Sequence, residues 1–173
     1  LAIDPAGLGG LWLRARSGPV RDLVTGALSA LPLPLKRLHP TIADDALFGG
    51  LDLAATLANG HPVTMSGLLA APAALVLAMA ERSPAGLAAR LACTLDGGDH
   101  ALIALDEGAE PDESLPPALA DRRALFLDLA DELWSDATDP APDAARLAAA
   151  RAAMPRIALP QAALADLTRA AAE

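Results

Sequence analysis

The sequence predicts an α/β domain: a parallel sheet with helices on both faces, followed by the start of a helical domain. Three observations carry this reading. Two short runs, LVLAMA at 75–80 and ALIAL at 101–105, are apolar at every position, as strands covered on both sides must be. Segments with helical apolar spacing alternate with such runs. An Asp- and Pro-rich stretch, DATDPAP at 136–142, then precedes two alanine-rich helical segments. The expected organisation is an α/β core over 1–135, a linker over 136–142 and the beginning of a helical lid over 143–173.

Taken in order, Gly9-Gly10 precedes a Trp-containing apolar run at 11–13, read as the first strand. Leu23, Val24, Ala27, Leu28 and Leu31 follow with helical spacing, so strand, tight turn and helix open the domain. Residues 51–57 read as a short helix after a Gly-Gly break. The uncharged run 62–80 is long enough to raise a membrane span, but Pro62, Ser66, Gly67 and Pro72 divide it. It reads instead as a buried hairpin followed by the strand at 75–80. Leu87, Leu91 and Leu95, four apart, predict a helix over 85–95, and the strand at 101–105 follows. Pro116 and Pro117 start a short helix to Arg122, since proline is tolerated in a first helical turn. ALFLDL at 124–129 is the last strand. The two terminal helices, 143–154 and 160–172, are expected to bury Leu147, Met154, Leu164 and Leu167.

Composition narrows the function. The chain has 173 residues, a net charge of -9, 53% hydrophobic residues and 2% aromatics. It lacks both the basic stripe and the stacking rings that nucleic acids require, so no nucleic-acid partner is expected. Its single cysteine, Cys93, cannot form an internal disulfide and sits in an apolar run, where it reads as an inert core residue of a cytoplasmic protein. The chain opens at Leu1 rather than Met and is expected to be a piece of a longer protein. No signal peptide and no membrane span are legible.

The most specific stretch lies between His39 and Ala70. It carries an acidic pair, Asp44-Asp45, then Leu47, Gly49, Leu51-Asp52-Leu53, Leu57, Gly60 and Gly67-Leu68-Leu69-Ala70. In order and spacing these residues resemble the chelatase branch of the AAA+ ATPases, over residues 9–167. The likeness is to the magnesium chelatase family, and to those of its members whose ATP site has decayed. It implies an AAA+ P-loop NTPase-like fold. It also implies a non-hydrolysing platform subunit that assembles with an ATPase I subunit in a hexameric ring, alongside a porphyrin-binding H subunit. The assembled complex would use ATP to insert Mg²⁺ into protoporphyrin IX, in chlorophyll or bacteriochlorophyll synthesis.

The same register locates the ATP machinery and shows what has become of it. The phosphate loop falls on ARSGPVRD, 15–22. Gly18 is retained, but Pro19 lacks an N–H and Val20 resists unusual backbone angles. Arg21 stands where the lysine is expected and Asp22 where the hydroxyl is. A carboxylate about 4 Å from a phosphate oxygen costs roughly 4 kcal/mol at an effective dielectric near 20. No tightly bound cofactor is therefore expected in this chain, and ATP and Mg²⁺ belong to the assembled complex.

The metal-site strand should end in Asp-Glu but ends in Ala80-Glu81, which makes Glu81 a surface residue at a helix start. ALIALDE at 101–107 imitates that motif better, but register makes it the sensor strand, with its polar sensor falling near Ala109. Asp121-Arg122 matches the family's finger segment. Arg122 is either an arginine finger acting on a neighbour's ATP or a solvated helix-end residue. His39, His61 and His100 have no metal-ligand spacing, so no resident metal is expected, and Glu107, Glu110, Asp112 and Glu113 read as a solvated acidic loop. Asp44, Asp45 and Asp52 read as helix caps. Two other readings stay open at this point. One is a divergent but active ATPase of the clade, magnesium or cobalt chelatase, using Asp106-Glu107 or Glu81. The other is an alanine-rich binding module that merely echoes the motif.

Overall fold

A computed structural model of the chain describes residues 1–110, 112–132 and 143–171. The chain divides into two compact units, Leu1–Pro142 and Asp143–Glu173. The expected linker lies outside the described residues.

The first unit is built on five strands: β1 (Gly10–Arg14), β2 (Leu35–Leu38), β5 (Ala74–Leu77), β6 (Ala101–Asp106) and β7 (Leu125–Asp128). Their order is β2-β5-β6-β1-β7, and every neighbouring pair is parallel. Parallel strands need crossovers, and helices supply them: α1 (Pro19–Ala27), α4 (Ala85–Asp96) and α5 (Pro117–Ala120). The AAA+-like α/β layout expected from the sequence is what the chain adopts.

Two-fold alternation along β6 explains how both sheet faces are filled. Leu102 and Ala104 face a cluster with Leu75, Leu77, Leu87, Leu91 and Leu119, whereas Ile103 and Leu105 face one with Leu11, Leu13, Leu28 and Ala74. All six β6 residues are buried. Each fully buried leucine contributes roughly 2 kcal/mol of hydrophobic stabilisation.

Several expectations need correction. β2 has no counterpart in the sequence reading, because LKRL carries two charges on an edge strand. The Gly-Gly at 49–50 is not a break: β3 (Gly49–Leu51) pairs antiparallel with β4 (Thr64–Ser66). A Cβ on Gly49, at φ +84, would lie 2.4 Å from the Met65 carbonyl oxygen, so the close approach itself demands glycine. The buried hairpin expected between residue 62 and the strand at 75 does not form there: 64–66 become β4 of this exposed hairpin, with no covered residue, and Leu51 is 53% exposed. Asp52 does cap α3 (Leu53–Asn59), accepting the Ala55 N–H at 2.9 Å. Asp44 and Asp45 sit in the first turn of α2 (Asp44–Phe48), whose cap position is Ala43.

Cys93 is exposed, not buried. The covered face of α4 is Leu87, Ala88, Leu91, Ala92 and Leu95, and a residue two positions from Leu91 points away from it.

The second unit contains α6 (Ala144–Ala153) and α7 (Gln161–Ala170). Neither helix buries a residue, and Met154, Leu164 and Leu167 are exposed while Leu147 is half-buried. Among the described residues no helix is long and apolar enough to cross a membrane.

Candidate functional site

The carboxyl ends of β1, β5 and β6 converge, and the ladder places Arg14 opposite Asp106 and Leu77 opposite Ala104. Ligands of open parallel sheets bind beyond such strand ends. β1 runs straight into the turn at 15–18, with the Ala15 N–H donating to the Asp106 carbonyl at 3.0 Å. Gly18 holds φ +155, and Pro19 is the first residue of α1. The sequence therefore builds the strand–turn–helix of a phosphate loop while removing one of its N–H donors.

Arg21 does not reach into open space. Its Nη1 pairs with Glu107 Oε1, and its Nη2 donates to Ser17 Oγ at 2.7 Å. Its side chain is 15% exposed. Asp22 is exposed, and its backbone N–H closes the first turn onto the Gly18 carbonyl.

Glu81 is not the surface residue expected. β5 stops at Leu77, and Met79, at φ 48 and ψ 48, turns the chain back across the strand ends into a short 3-10 turn, Ala80–Arg82. Left-handed geometry at a non-glycine residue costs about 1 kcal/mol. It brings the Glu81 side chain, 2% exposed, under the loop after β6. There Oε2 accepts the Glu107 N–H at 3.1 Å, and Oε1 lies 3.4 Å from Arg82 Nε.

Asp106 is fully buried. Its Oδ2 accepts the Trp12 indole N–H at 2.8 Å and its Oδ1 the Gly108 N–H at 2.9 Å. Both oxygens are thus spent on the protein's own donors, which ties β6 to β1. Ala109, near which the sensor was expected, has no polar side chain. Its backbone N–H, like that of Glu110, donates to Glu113, whose carboxyl these bonds hold below the usual carboxylate range. Arg14 Nη2 grips the same loop through the carbonyls of Gly108 and Glu110, both at 3.1 Å. The acidic loop is therefore bound into the strand ends rather than solvated throughout. Among the described residues no group of three or more His, Cys, Asp or Glu could hold a metal ion.

Arg122 lies at the opposite end of the sheet, between α5 and the start of β7. It clasps Asp96 through Nε at 2.7 Å and Nη2 at 2.8 Å, and its Nη1 donates to the Ala118 carbonyl at 2.8 Å. The bonded guanidinium holds the Asp96 carboxyl below its ordinary value, and Asp96 in turn raises Arg122. Next to it, Arg123 donates through Nε to the Leu119 carbonyl, while its Nη1 and Nη2 are buried with no partner. Burial, and then the Arg122 charge, push the Arg123 guanidinium down to about 10. Both arginines line an open cleft with Gly7, Leu8, Gly9 and Leu95.

The fold thus gathers Gly18, Arg21, Glu81, Asp106 and Glu107 at one end and leaves Arg122 at the other. Arg14, Ser17 and Asp96 were not singled out in the sequence. Arg14 and Asp96 meet partners up to 99 and 26 positions away, which no local pattern marks, whereas Ser17 bonds Arg21 four residues on, within the turn itself.

No family model matches the sequence. The chain is 63% identical over all 173 residues to the magnesium-chelatase 60 kDa subunit of Cereibacter sphaeroides, of which it covers 31%. It is 53% identical over 149 residues to the subunit of that name from Rhodobacter capsulatus, covering 85% of this chain and 27% of the relative. The chain therefore spans about a third of the length of these relatives, and over that span the resemblance to the magnesium chelatase family holds. Two solved structures share the fold. One is a presumed ATPase of Cytophaga hutchinsonii, with TM-score 0.60 and 14% identity, covering 92% of this chain and 58% of the other. The second is a cryo-EM reconstruction of the complex between subunits BchI and BchD of magnesium chelatase. Its TM-score is 0.54 at 18% identity, with 96% of this chain and 64% of the other covered.

Proposed function

We propose that this chain is the AAA+ segment of a non-hydrolysing platform subunit of magnesium chelatase. It assembles with the ATPase I subunit in a hexameric ring and works with a porphyrin-binding H subunit. The complex uses ATP to insert Mg²⁺ into protoporphyrin IX on the way to chlorophyll or bacteriochlorophyll, in the cytoplasm. Residues 143–173 begin the helical lid.

The observation that carries the non-hydrolysing part is the capture of Arg21 by Glu107. Triphosphate hydrolysis needs a cation aimed at the terminal phosphates and a carboxylate aimed at the attacking water. Arg21 is spent on an internal ion pair, Glu81 on a backbone N–H, and Asp106 on Trp12 and Gly108. What remains is a motor scaffold without a motor site. Such a scaffold influences hydrolysis only through contacts, as a coupling free energy between subunits.

The test has two arms. Purified full-length protein carrying this chain should release no phosphate from ATP on its own, and should co-sediment with the I subunit. Turnover by the isolated protein that Glu107→Gln abolishes would establish an active ATPase instead. Failure to co-sediment would remove the platform role.

A further inference from the structure

We propose that the cleft at the amino ends of the strands binds a monocarboxylate, received end-on by Nη1 and Nη2 of Arg123. The site is distinct from the turn that carries Gly18 and Arg21, and it does not require Arg122 to act on a neighbour's ATP.

The cation comes first. Arg123 spends Nε on the Leu119 carbonyl at 3.1 Å, whereas Nη1 and Nη2 are buried with no partner. Among the described residues Arg123 forms no ion pair. Arg90 also has a buried nitrogen without a partner, but its Nη2 reaches Asp44 at 3.0 Å. A shielded charge with no counter-ion works against the fold. The neighbouring Arg122 has the same sign and adds to the demand for an anion.

The cleft comes second. Its walls are the loop at 6–9, the end of α4 at Leu95 and Asp96, and the turn at 121–124, around a volume of about 360 Å³. Ligand pockets run from about 300 to 1,000 Å³, so this one suits a small acid or a single acidic side chain. The walls are fixed to each other. The Ala124 N–H donates to the Leu8 carbonyl at 3.1 Å, and a Cβ on Gly9, at φ +68, would collide with the Arg122 carbonyl. The same missing Cβ would stand 3.7 Å from Arg123 Nη1, so the guanidinium ends behind the glycine wall of the cleft. A turn about the outer side-chain bonds brings it forward.

Two features select the ligand. End-on pairing uses the two terminal nitrogens in parallel, which matches the paired oxygens of a carboxylate. The rim carries Asp96, already neutralised by Arg122, and Asp121. A dianion such as phosphate meets that acidic rim with twice the charge of a carboxylate and is disfavoured. Leu8, Leu95 and Ala124 offer apolar surface to a short hydrocarbon stem.

The experiment is a ligand-observed NMR titration of the full-length protein with butyrate at constant ionic strength. Wild type is expected to bind with a dissociation constant on the order of millimolar, at least about tenfold more tightly than it binds butyramide or inorganic phosphate. Arg123→Met is expected to weaken butyrate binding by about tenfold or more. The inference is overturned if butyrate binds no better than butyramide, if phosphate binds as tightly, or if Arg123→Met binds butyrate as wild type does. Should Arg123→Met lose its fold by circular dichroism, Ala124→Glu carries the comparison. It sets a tethered carboxylate on the exposed cleft wall and should weaken butyrate binding, and undiminished binding is decisive against the site. A second arm identifies the source of the carboxylate. If butyrate releases the I subunit from the mixed complex, and Arg123→Met weakens that complex, the ligand is a partner's acidic side chain. If the complex is indifferent to both, the ligand is a free acid.

Discussion

Each end of the parallel sheet holds an arginine clasped by a carboxylate, and the two pairs differ chiefly in what surrounds them. Arg21 and Glu107, at the carboxyl ends of the strands, have side chains 15% and 33% exposed. Arg122 and Asp96, at the amino ends, are 34% and 55% exposed, on the rim of an open cleft. Water competes freely for the second pair and much less for the first. A shielded pair is hard to exchange and removes a cation from service, whereas a rim pair can trade its carboxylate for another anion at little cost. One type of interaction is therefore shielded from exchange at one end of the sheet and open to it at the other.

The largest effect expected from breaking this contrast is at the rim. If Arg122 serves a neighbour's site, Arg122→Ala should lower ATP hydrolysis at that site by about 10³-fold or more. Phosphate release by the mixed complex with the I subunit measures this, and an unchanged rate would leave Arg122 as a partner of Asp96 only.

Next comes the brace behind the closed end. Asp106→Ala strands the Trp12 and Gly108 N–H groups in a dry site and should destabilise the unit by about 3 kcal/mol. A urea titration followed by Trp fluorescence reports it, and a loss below about 1 kcal/mol would mean that those donors find water.

A smaller effect of opposite sign is expected at Arg123. Its folded value, pushed down to about 10, lies below that of the unfolded chain, so carrying the charge costs stability at every pH below 10. That cost is relieved as pH rises through the folded value. Arg123→Met should therefore stabilise the unit by about 1 kcal/mol near pH 7, after allowance for its partial exposure, and the gain should shrink above pH 10.

Asp96 works in the other direction. Its depressed folded value means that the clasp contributes above the unfolded value, near pH 4, and is lost as pH falls through the lower folded one. The difference in melting temperature between wild type and Asp96→Asn should accordingly be constant from pH 5 to 8 and vanish on acidification. The smallest effect belongs to Glu81. Glu81→Gln keeps an acceptor for the Glu107 N–H and should leave hydrolysis by the mixed complex within about twofold.

Periodicity was enough to read the layered α/β core, because a strand buried on both faces must be continuously apolar and a covering helix must repeat its leucines. LVLAMA, ALIAL and Leu87-Leu91-Leu95 show both rules in one dimension. The strand–turn–helix around Gly18 was legible too, since an apolar run, a glycine and a proline at the helix start mark it. β2, the β3–β4 hairpin and the exposure of Cys93 were not legible. An edge strand can carry charges, three-residue strands leave no period, and a cysteine's environment depends on which way its helix faces.

The sequence by itself determined that a layered α/β fold is present and which side chains stand at the turn after the first strand, because side-chain size, charge and missing donors are local properties. Only the tertiary structure decided what the remaining groups do instead. Glu81 was expected on the surface and lies beneath a loop. Asp106-Glu107, which imitates a metal pair in a strand that register assigns to the sensor, turns to Trp12, Gly108 and Arg21. The physical reason is distance along the chain: Arg21 and Glu107 are 86 residues apart, and only the parallel register of β1 on β6 brings them together.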